Sequence, residues 1–485
     1  MELTLPIPNL RAIMPELVMT FWACLVLVVD VLISKERKTW VGYLALVGTL
    51  VTMAFTLPLL GTRTSTFSNM FLVDGVALFF KFIFLLATAL VILVSLRYLD
   101  IEGVNLGEYY AMILFATLGM MIMAAGNELI TIYLSLELMV ISTYVLCGFI
   151  RRDRRSTEAA VKYFLLGIFT SAILLYGMAL LYGLTGTTNL TEIGRALQAK
   201  NLGANPALLL AMIFLAAGLG FKVAAVPFHM YVPDVYEGSP TPIAAFISVG
   251  PKAAGFAVLA RLFLVSLPAI RPQWGTLLWV LCVMTMTLGN LVAMKQSNIK
   301  RMLAYSSIAH AGYVLIGLVV ANEIGLASVV LYMFVYAFMN IGAFSMVILM
   351  CKRGDRGERI EDFRGLARSH PWAAIAFLVF FLSLAGIPPT GGFIGKFYLF
   401  SAAIQANYVW LAVIGVANSA LSVYYYFRVT MLMYMSDPSG EIRLTLSPSL
   451  VFALAVMVIG TLAIGLYPSP LIAAARASMA PIFGP

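Results

Sequence analysis

Long apolar stretches of this chain alternate with short polar ones. Each stretch approaches or exceeds the roughly 20 residues that a helix needs to cross the apolar core of a bilayer. Backbone polar groups must be bonded within such a segment in lipid, so the stretches are predicted to be α-helices; they are too long for barrel strands. Fourteen apolar segments, numbered here 1 to 14, are predicted at 12–33, 40–60, 75–98, 108–126, 128–150, 158–185, 206–231, 240–266, 274–294, 299–321, 325–350, 372–405, 408–435 and 448–468.

Composition agrees with an all-α polytopic membrane protein. Hydrophobic residues make up 62% of the 485 positions and charged residues only 11%, whereas a soluble domain is about half apolar and a quarter charged. Some segments lie so close to the next that thirteen or fifteen helices also fit the pattern. The net charge of +9 belongs to basic loops, so nucleic-acid binding is not predicted.

The basic loops predict an orientation. They follow segments 1, 5, 9 and 11, at residues 35–38, 151–155, 295–301 and 352–368. These loops all fall on one side of the membrane, which the positive-inside rule makes cytoplasmic, so both termini are expected outside. The N-terminus has no basic stretch and no small-residue cleavage site, so segment 1 is expected to be retained.

Few residues suit a redox centre or a nucleotide site. The four cysteines form no CxxC pair and the chain has three histidines, so no zinc or iron–sulfur site is expected. Neither a GxGxxG sequence after a strand nor a P-loop is present, so nucleotide binding is not expected either.

Two segments carry helix breakers in their middle. Pro227 and Pro233 interrupt segment 7, and the stretch 386–392 (GIPPTGG) interrupts segment 12. Proline removes a helix hydrogen bond, and free backbone at this depth is tolerated only beside protein or a cavity. The breaks are five segments apart, which predicts two five-helix repeats, segments 4–8 and 9–13. An odd number of helices per repeat inverts the second.

This pattern predicts four regions. They are residues 1–107 (segments 1–3), 108–266 (the first repeat), 267–435 (the second repeat) and 436–485 (segment 14).

Four ionisable residues lie far from segment ends. They are Glu137, Lys222, Lys252 and Lys396. A charge at the bilayer centre costs at least about 2.5–3.5 kcal/mol, so each is a functional candidate. A lysine removed from water can release its proton near neutral pH, which an exposed lysine cannot. The alternative is structural: Glu137 could join two helices, and Lys222 could bind carbonyls freed by Pro227. Lys396 follows the second break and is taken to occupy the place of Lys222.

For three further residues a functional role and a structural role are equally compatible with the sequence. Lys162 could pair with Glu158 at the membrane edge or with Glu137. His229 and His310 could relay protons or simply pack. Five charged residues lie nearer segment ends, and snorkelling or interface anchoring is predicted for most of them: Lys81, Asp30, Asp74, Arg261 and Arg428. The aromatic run at residues 424–427 is predicted to belong to an interface belt or to pack against other helices.

Long strings in the chain resemble a known family. They are AVPFHMYVPDVYEGSPTPI (225–243), SVGPKAAGF (248–256), NIKRMLAYSSIAHAGY (298–313) and SLAGIPPTGGFIGKFY (383–398). Together they resemble subunit N of bacterial NADH–quinone oxidoreductase, or respiratory complex I, over nearly the whole chain. That family belongs to the antiporter-like membrane subunits. The string PDVYEG and Lys396 favour subunit N, since some sister subunits carry glutamate at that lysine.

The resemblance implies proton translocation. Glu137 and Lys222 would form the pair of a first half-channel, Lys252 would link the halves with His229 and His310, and Lys396 would serve the second half-channel. NADH, FMN, iron–sulfur clusters and quinone would be bound by partner subunits and none by this chain. The partners would be neighbouring antiporter-like and small membrane subunits in the bacterial inner membrane. A subunit of a multisubunit sodium/proton antiporter and a non-conducting scaffold are the alternatives.

Overall fold

The chain folds as a bundle of long helices with one small hairpin. The computed structural model describes residues 8–34, 37–351, 357–438, 440 and 442–479. Its elements are α1 (Met14–Leu32), α2 (Thr39–Thr56), β1 (Thr64–Thr66), β2 (Phe71–Val73), α3 (Gly75–Glu102), α4 (Gly107–Ala125), α5 (Leu129–Cys147), α6 (Arg154–Thr185), α7 (Leu190–Ala199), α8 (Pro206–Val223), α9 (Val232–Gly238), α10 (Thr241–Arg261), α11 (Arg271–Ala293), α12 (Ile299–Val320), α13 (Glu323–Met350), α14 (Leu366–Ser369), α15 (Pro371–Ala385), α16 (Gly391–Gln405), α17 (Val409–Met435), α18 (Pro448–Leu466) and α19 (Ser469–Met479).

The prediction of about fourteen membrane helices is confirmed. Thirteen helices in the described ranges are long and apolar enough to cross a membrane. The fourteenth crossing is divided between α15 and α16, with 15 residues each. The hairpin of β1 and β2, the amphipathic α7 and the short helices α14 and α19 were not predicted, because each is too short or too polar for the membrane pattern.

Both predicted breaks are present and have similar geometry. Ala224 ends α8 with φ 63°, and Gly386 ends α15 with φ 84°. In each case the next amide donates back into the helix, from Ala225 to the Gly220 carbonyl at 2.8 Å and from Ile387 to the Leu382 carbonyl at 2.9 Å. This left-handed cap satisfies carbonyls that the helix end would leave free. The prediction was wrong for Pro233, which lies in the first turn of α9 and so begins the second half-helix.

The two repeats can be aligned residue by residue. An isolated bridge joins Glu128 to Asn189, and another joins Asn298 to Arg359, 170 positions later in both members. The helix contacts repeat with the same shift. A Cβ on Gly119 of α4 would lie 2.7 Å from the Met139 nitrogen of α5, and a Cβ on Gly289 of α11 would lie 2.7 Å from the Ala309 nitrogen of α12.

The repeats are inverted, as predicted. The start of α5 lies at the hairpin, where the Asn127 amide donates to the Met70 carbonyl at 2.9 Å. The start of α12 lies at the opposite end, beside Glu358. Glu358 is 3.8 Å from Arg155, which follows the end of α5. Equivalent helices of the two repeats therefore begin at opposite ends of the bundle.

The prediction of snorkelling was wrong for several charged residues, which instead form buried ion pairs. Lys81 pairs with Glu16 at 2.7 Å, with the lysine side chain fully buried. Arg261 pairs with Asp74 at 2.6 Å and donates to the Ala124 carbonyl at 2.8 Å. Asp30 pairs with Lys38 at 2.6 Å. Removing one member of such a pair leaves a buried charge and costs about 3–5 kcal/mol.

The close contacts at the paired glycines predict a difference in stability. Gly289→Ala should lower stability by about 1–3 kcal/mol, because its Cβ meets the backbone of α12 and the helices must separate. Gly183→Ala is the control, since nothing lies within 4 Å of a Cβ there. The midpoint of thermal unfolding of the detergent-solubilised protein can be followed with a thiol-reactive dye, because Cys147, Cys282 and Cys351 are buried. Equal midpoints for the two variants would contradict the proposed contact.

Candidate functional site

Three lysines lie in the interior of the bundle, on three different helices. Lys222 on α8, Lys252 on α10 and Lys396 on α16 are each at most 3% exposed. The helices that carry them pack against one another or against α12: α10 packs against α8, and α16 packs against α12. Buried ammonium groups need acceptors close by, so the neighbours of each lysine determine what it can do.

Lys222 lies in the last turn of α8, one residue before the helix ends. Its Nζ donates to the Ser171 hydroxyl of α6 at 3.4 Å and lies 5.3 Å from the centre of the Phe221 ring. Bonds to carbonyls freed at the break, which were the structural alternative for this lysine, are not among its contacts in the described chain. Its hydrogen-bond partner is a neutral hydroxyl.

Glu137 lies on α5, near enough for its charge to act on Lys222. The two form no direct ion pair, and the buried Oε1 of Glu137 has no hydrogen-bond partner within the described residues. The residue is half-buried. Glu137 and Lys222 are therefore close but separate.

Lys252 is held by α12 and has no carboxylate partner in the described part of the chain. Its Nζ donates to the Ser307 carbonyl at 2.9 Å and to the Ser307 hydroxyl. The ring of Tyr236 lies 5.8 Å away. One turn further along α10, a Cβ on Gly255 would lie 3.5 Å from the Lys222 Cβ. The helices that carry Lys222 and Lys252 are therefore in close contact at this point.

A hydrogen-bonded cluster surrounds His310 in the second repeat. Its Nδ1 lies 2.5 Å from the Tyr332 hydroxyl and its Nε2 lies 3.1 Å from the Tyr426 hydroxyl. Tyr426 also bonds to the Ser306 hydroxyl. On α12, His310 comes one turn after Ser307, which binds Lys252, and one turn before Tyr313, whose ring is 4.8 Å from the Lys396 Nζ. His310 therefore lies between the two lysines.

The aromatic run, for which an interface belt or packing was predicted, is divided between an exposed position and two interior ones. Tyr425 and Tyr426 are fully buried, and Tyr424 alone of the three tyrosines is exposed. The Tyr425 hydroxyl donates to Asn290 at 3.0 Å. Three adjacent tyrosines on one helix point in different directions, and a local string cannot show which of them faces the interior.

Lys396 uses the carbonyls at the second break. Its Nζ donates to the Leu384 and Ala385 carbonyls at 2.9 and 3.0 Å and to the Ser419 hydroxyl at 3.0 Å. The Tyr313 ring lies 4.8 Å away. The expectation that it takes the place of Lys222 was wrong. Lys222 belongs to the half-helix before its break, whereas Lys396 belongs to the half-helix after its break and reaches back across it.

Lys162 and His229 lie away from this row. Lys162 is 42% exposed and pairs with Glu158 at 2.8 Å and with Asp234 at 2.7 Å, so its partners are these carboxylates and not Glu137. Arg301 also binds Asp234, at 2.9 Å. His229 is half-buried in the segment between α8 and α9, and its buried Nδ1 has no partner in the described chain.

Inverted five-helix repeats, each with a broken helix beside a buried lysine and with a third lysine between them, define the class of antiporter-like membrane subunits. The family model described as "NADH:quinone oxidoreductase/Mrp antiporter, TM" matches residues 126–422. NADH-quinone oxidoreductase subunit N of Trichlorobacter lovleyi is 49% identical over 95% of both chains. The subunit N of Chloroflexus aggregans is 45% identical over the full length of both. The chain belongs to the subunit N family of NADH–quinone oxidoreductase.

Solved structures show the same fold. A chain of respiratory complex I from Thermus thermophilus with bound aureothin superposes with a TM-score of 0.81, at 32% identity, over 96% of this chain and 100% of that one. A chain of the Mrp complex from a Dietzia species gives a TM-score of 0.85 over 98% of both, at 20% identity. The second likeness concerns the fold alone.

Proposed function

We propose that this chain translocates protons through the row of buried lysines, as a membrane-arm subunit of a proton-translocating NADH–quinone oxidoreductase. The observation that carries the proposal is the chemistry of the lysine partners. Lys222, Lys252 and Lys396 donate to hydroxyls and carbonyls in the described chain. A carboxylate bonded directly to an ammonium holds its proton, whereas neutral acceptors leave it free to be exchanged.

The proposed route has two halves. Glu137 and Lys222 serve the first repeat, Lys252 links the repeats, and Lys396 serves the second. His310 lies between Lys252 and Lys396 with hydroxyls on both ring nitrogens, and imidazole can accept a proton on one nitrogen and release one from the other. Bridging waters complete the steps between groups that are not in contact.

Lys162 and His229 take peripheral roles in this proposal. Lys162 and Asp234 lie at the end of the bundle that carries the basic loops, where their ion pair borders the entrance to the first repeat. His229 lies in the break of that repeat, seven positions after Lys222 along the chain, and can exchange a proton there. The proposed regions 1–107, 108–266, 267–435 and 436–485 follow the same repeats.

The proposed setting is the bacterial inner membrane, beside other membrane-arm subunits. Redox chemistry in partner subunits, which would hold NADH, FMN, iron–sulfur clusters and quinone, drives the transfer. The basic end of the bundle faces the cytoplasm, and both chain ends face the periplasm. In support of this orientation, Asn9 bonds to Thr66 of the hairpin, and a Cβ on Gly75, which follows the hairpin, would contact Ser478. Both ends of the described chain therefore lie at the hairpin end.

The sodium/proton antiporter is a weaker alternative, because the likeness to the Mrp complex is at 20% identity and the likeness to subunit N at 49%. Purification with a peripheral redox arm supports the oxidoreductase. Sodium-dependent exchange without such an arm would support the antiporter.

Removing each buried lysine should stop or slow coupled proton movement. We expect Lys222→Ala, Lys252→Ala and Lys396→Ala each to lower NADH-driven proton uptake into membrane vesicles by at least about tenfold, since general acid–base groups contribute about 10²–10⁴-fold. The exposed Lys295→Ala is the matched control and should keep normal uptake. Blue native gels verify assembly. Normal proton uptake in all three variants would contradict the proposal and would favour a non-conducting scaffold.

The cluster around His310 predicts a second effect. Tyr426→Phe removes the hydroxyl shared by His310 and Ser306 and should reduce proton uptake by about 3- to 10-fold, which corresponds to the loss of one hydrogen bond. Tyr109→Phe is the control, because that buried hydroxyl bonds to Ser95 of α3. An equal loss in both variants would mean that the tyrosines act through packing.

A further inference from the structure

The alignment of the two repeats assigns a counterpart to the acidic residue of the first. Gly119 contacts the backbone of Ser135 and Met139, and Gly289 contacts the backbone of Tyr305 and Ala309 in the same way. The helix positions midway between these contacts are Glu137 on α5 and Ser307 on α12. Ser307 therefore stands in the second repeat where the first repeat has its carboxylate.

Ser307 is also the residue that binds Lys252. Both of its oxygens accept from the lysine Nζ, the carbonyl at 2.9 Å and the hydroxyl at a shorter distance. Lys252 lies on α10, the last helix of the first repeat, and Ser307 lies on α12, the second helix of the other. This contact is consequently a direct polar link between the repeats.

Tyr236 and Tyr336 lie in the same region. The Tyr236 ring is 5.8 Å from the Lys252 Nζ, and the hydroxyls of both tyrosines are buried without a hydrogen-bond partner among the described residues. The ring of Tyr336 lies 5.3 Å from the His310 ring. Ser307 thus receives a bond from Lys252 of the first repeat, and His310 follows it by about one turn of α12 in the second.

We propose that Ser307 passes the proton of Lys252 into the second repeat, and that it can do so because a hydroxyl occupies the place of the carboxylate. The inference rests on the proposed function and names a relay group that the buried charges alone do not reveal. A hydroxyl is both donor and acceptor, whereas an ionised carboxylate only accepts.

The transfer is balanced at Ser307. An N–H bond of the Lys252 ammonium breaks as an O–H bond forms on the Ser307 oxygen. The original hydroxyl proton leaves at the same time for a bridging water or the Tyr336 hydroxyl, which gives up a proton of its own towards His310, so that the imidazole is the base that ends up protonated. Lysine is left as the neutral amine and serine as an unchanged hydroxyl, so no charge accumulates on Ser307.

A carboxylate at this position would work against release. Its negative charge beside the ammonium favours the protonated lysine, and burial strengthens that attraction because the surroundings screen it weakly. The first repeat keeps its carboxylate out of direct contact with Lys222. In the second repeat the equivalent residue, Ser307, does contact Lys252, but it is a hydroxyl and not a carboxylate.

The test uses the assembled complex in native membranes. Ser307→Ala should lower NADH-driven proton uptake by about 3- to 10-fold, the value of one hydrogen bond, while the Ser307 carbonyl still anchors Lys252. Ser307→Thr keeps the hydroxyl and should stay within about twofold of the unmodified protein. Ser345→Ala is the matched control, since this buried hydroxyl bonds within its own helix, to the Ile341 carbonyl.

Ser307→Glu provides a readout that packing cannot mimic. By holding the Lys252 proton, the carboxylate should move the pH optimum of uptake upwards by about 1 unit, the lower end of the effect of an adjacent charge. If Ser307→Ala does not assemble, Ser307→Cys, with nearly the same volume and a weaker hydrogen-bonding group, replaces it with the same expected loss.

The outcomes separate this inference from the proposed function. Full uptake in Ser307→Ala with an unshifted optimum in Ser307→Glu overturns the relay if Lys252→Ala is inactive. Normal uptake in Lys252→Ala as well overturns the proposed function itself. Equal losses in Ser307→Ala and Ser307→Thr also overturn the relay, because they show that shape and not the hydroxyl is required.

Discussion

The need of a buried ammonium for neutral acceptors governs the centre of this molecule. Lys222, Lys252 and Lys396 each take them from another helix: Ser171 of α6, Ser307 of α12, and the end of α15 together with Ser419 of α17. The positions of seven helices are thereby coupled to the positions of three charges. In lipid no water competes for these acceptors, so the protein has to supply most of them itself.

The broken helices meet part of this need. A helix end presents carbonyls, and an end placed within the bundle presents them to the interior. Lys396 uses two of them, whereas Lys222 uses none in the described chain. The caps of α8 and α15 are alike, and yet the lysines attached to the two broken helices lie on opposite sides of their breaks. The two repeats therefore share the backbone arrangement at the break but differ in where the lysine side chain is placed.

Much of the fold could be predicted from local pattern, because membrane helices are long apolar runs and their breaks contain proline and glycine. The ion pairs could not. Lys81 and Glu16 are far apart in the chain, and each alone near a segment end is compatible with anchoring at the interface. The same limit applies to the site. Lys222, Lys252 and Lys396 were identifiable as charges in apolar runs, but serine and tyrosine are ordinary residues in such runs. The roles of Ser307 and Tyr426 depend on which helix lies opposite, and this information is absent from a local pattern.

The glycine contacts described above also restrict how the protein can move. At Gly119 and Gly289 two backbones touch with no side chain between them, so α4 cannot slide along α5, nor α11 along α12, without separating first. Interfaces of this kind resist continuous deformation. Each helix pair is therefore expected to move as a rigid unit. Any rearrangement that accompanies proton transfer then has to occur where such units meet, and the two interrupted helices are the places of this kind that lie beside the lysines.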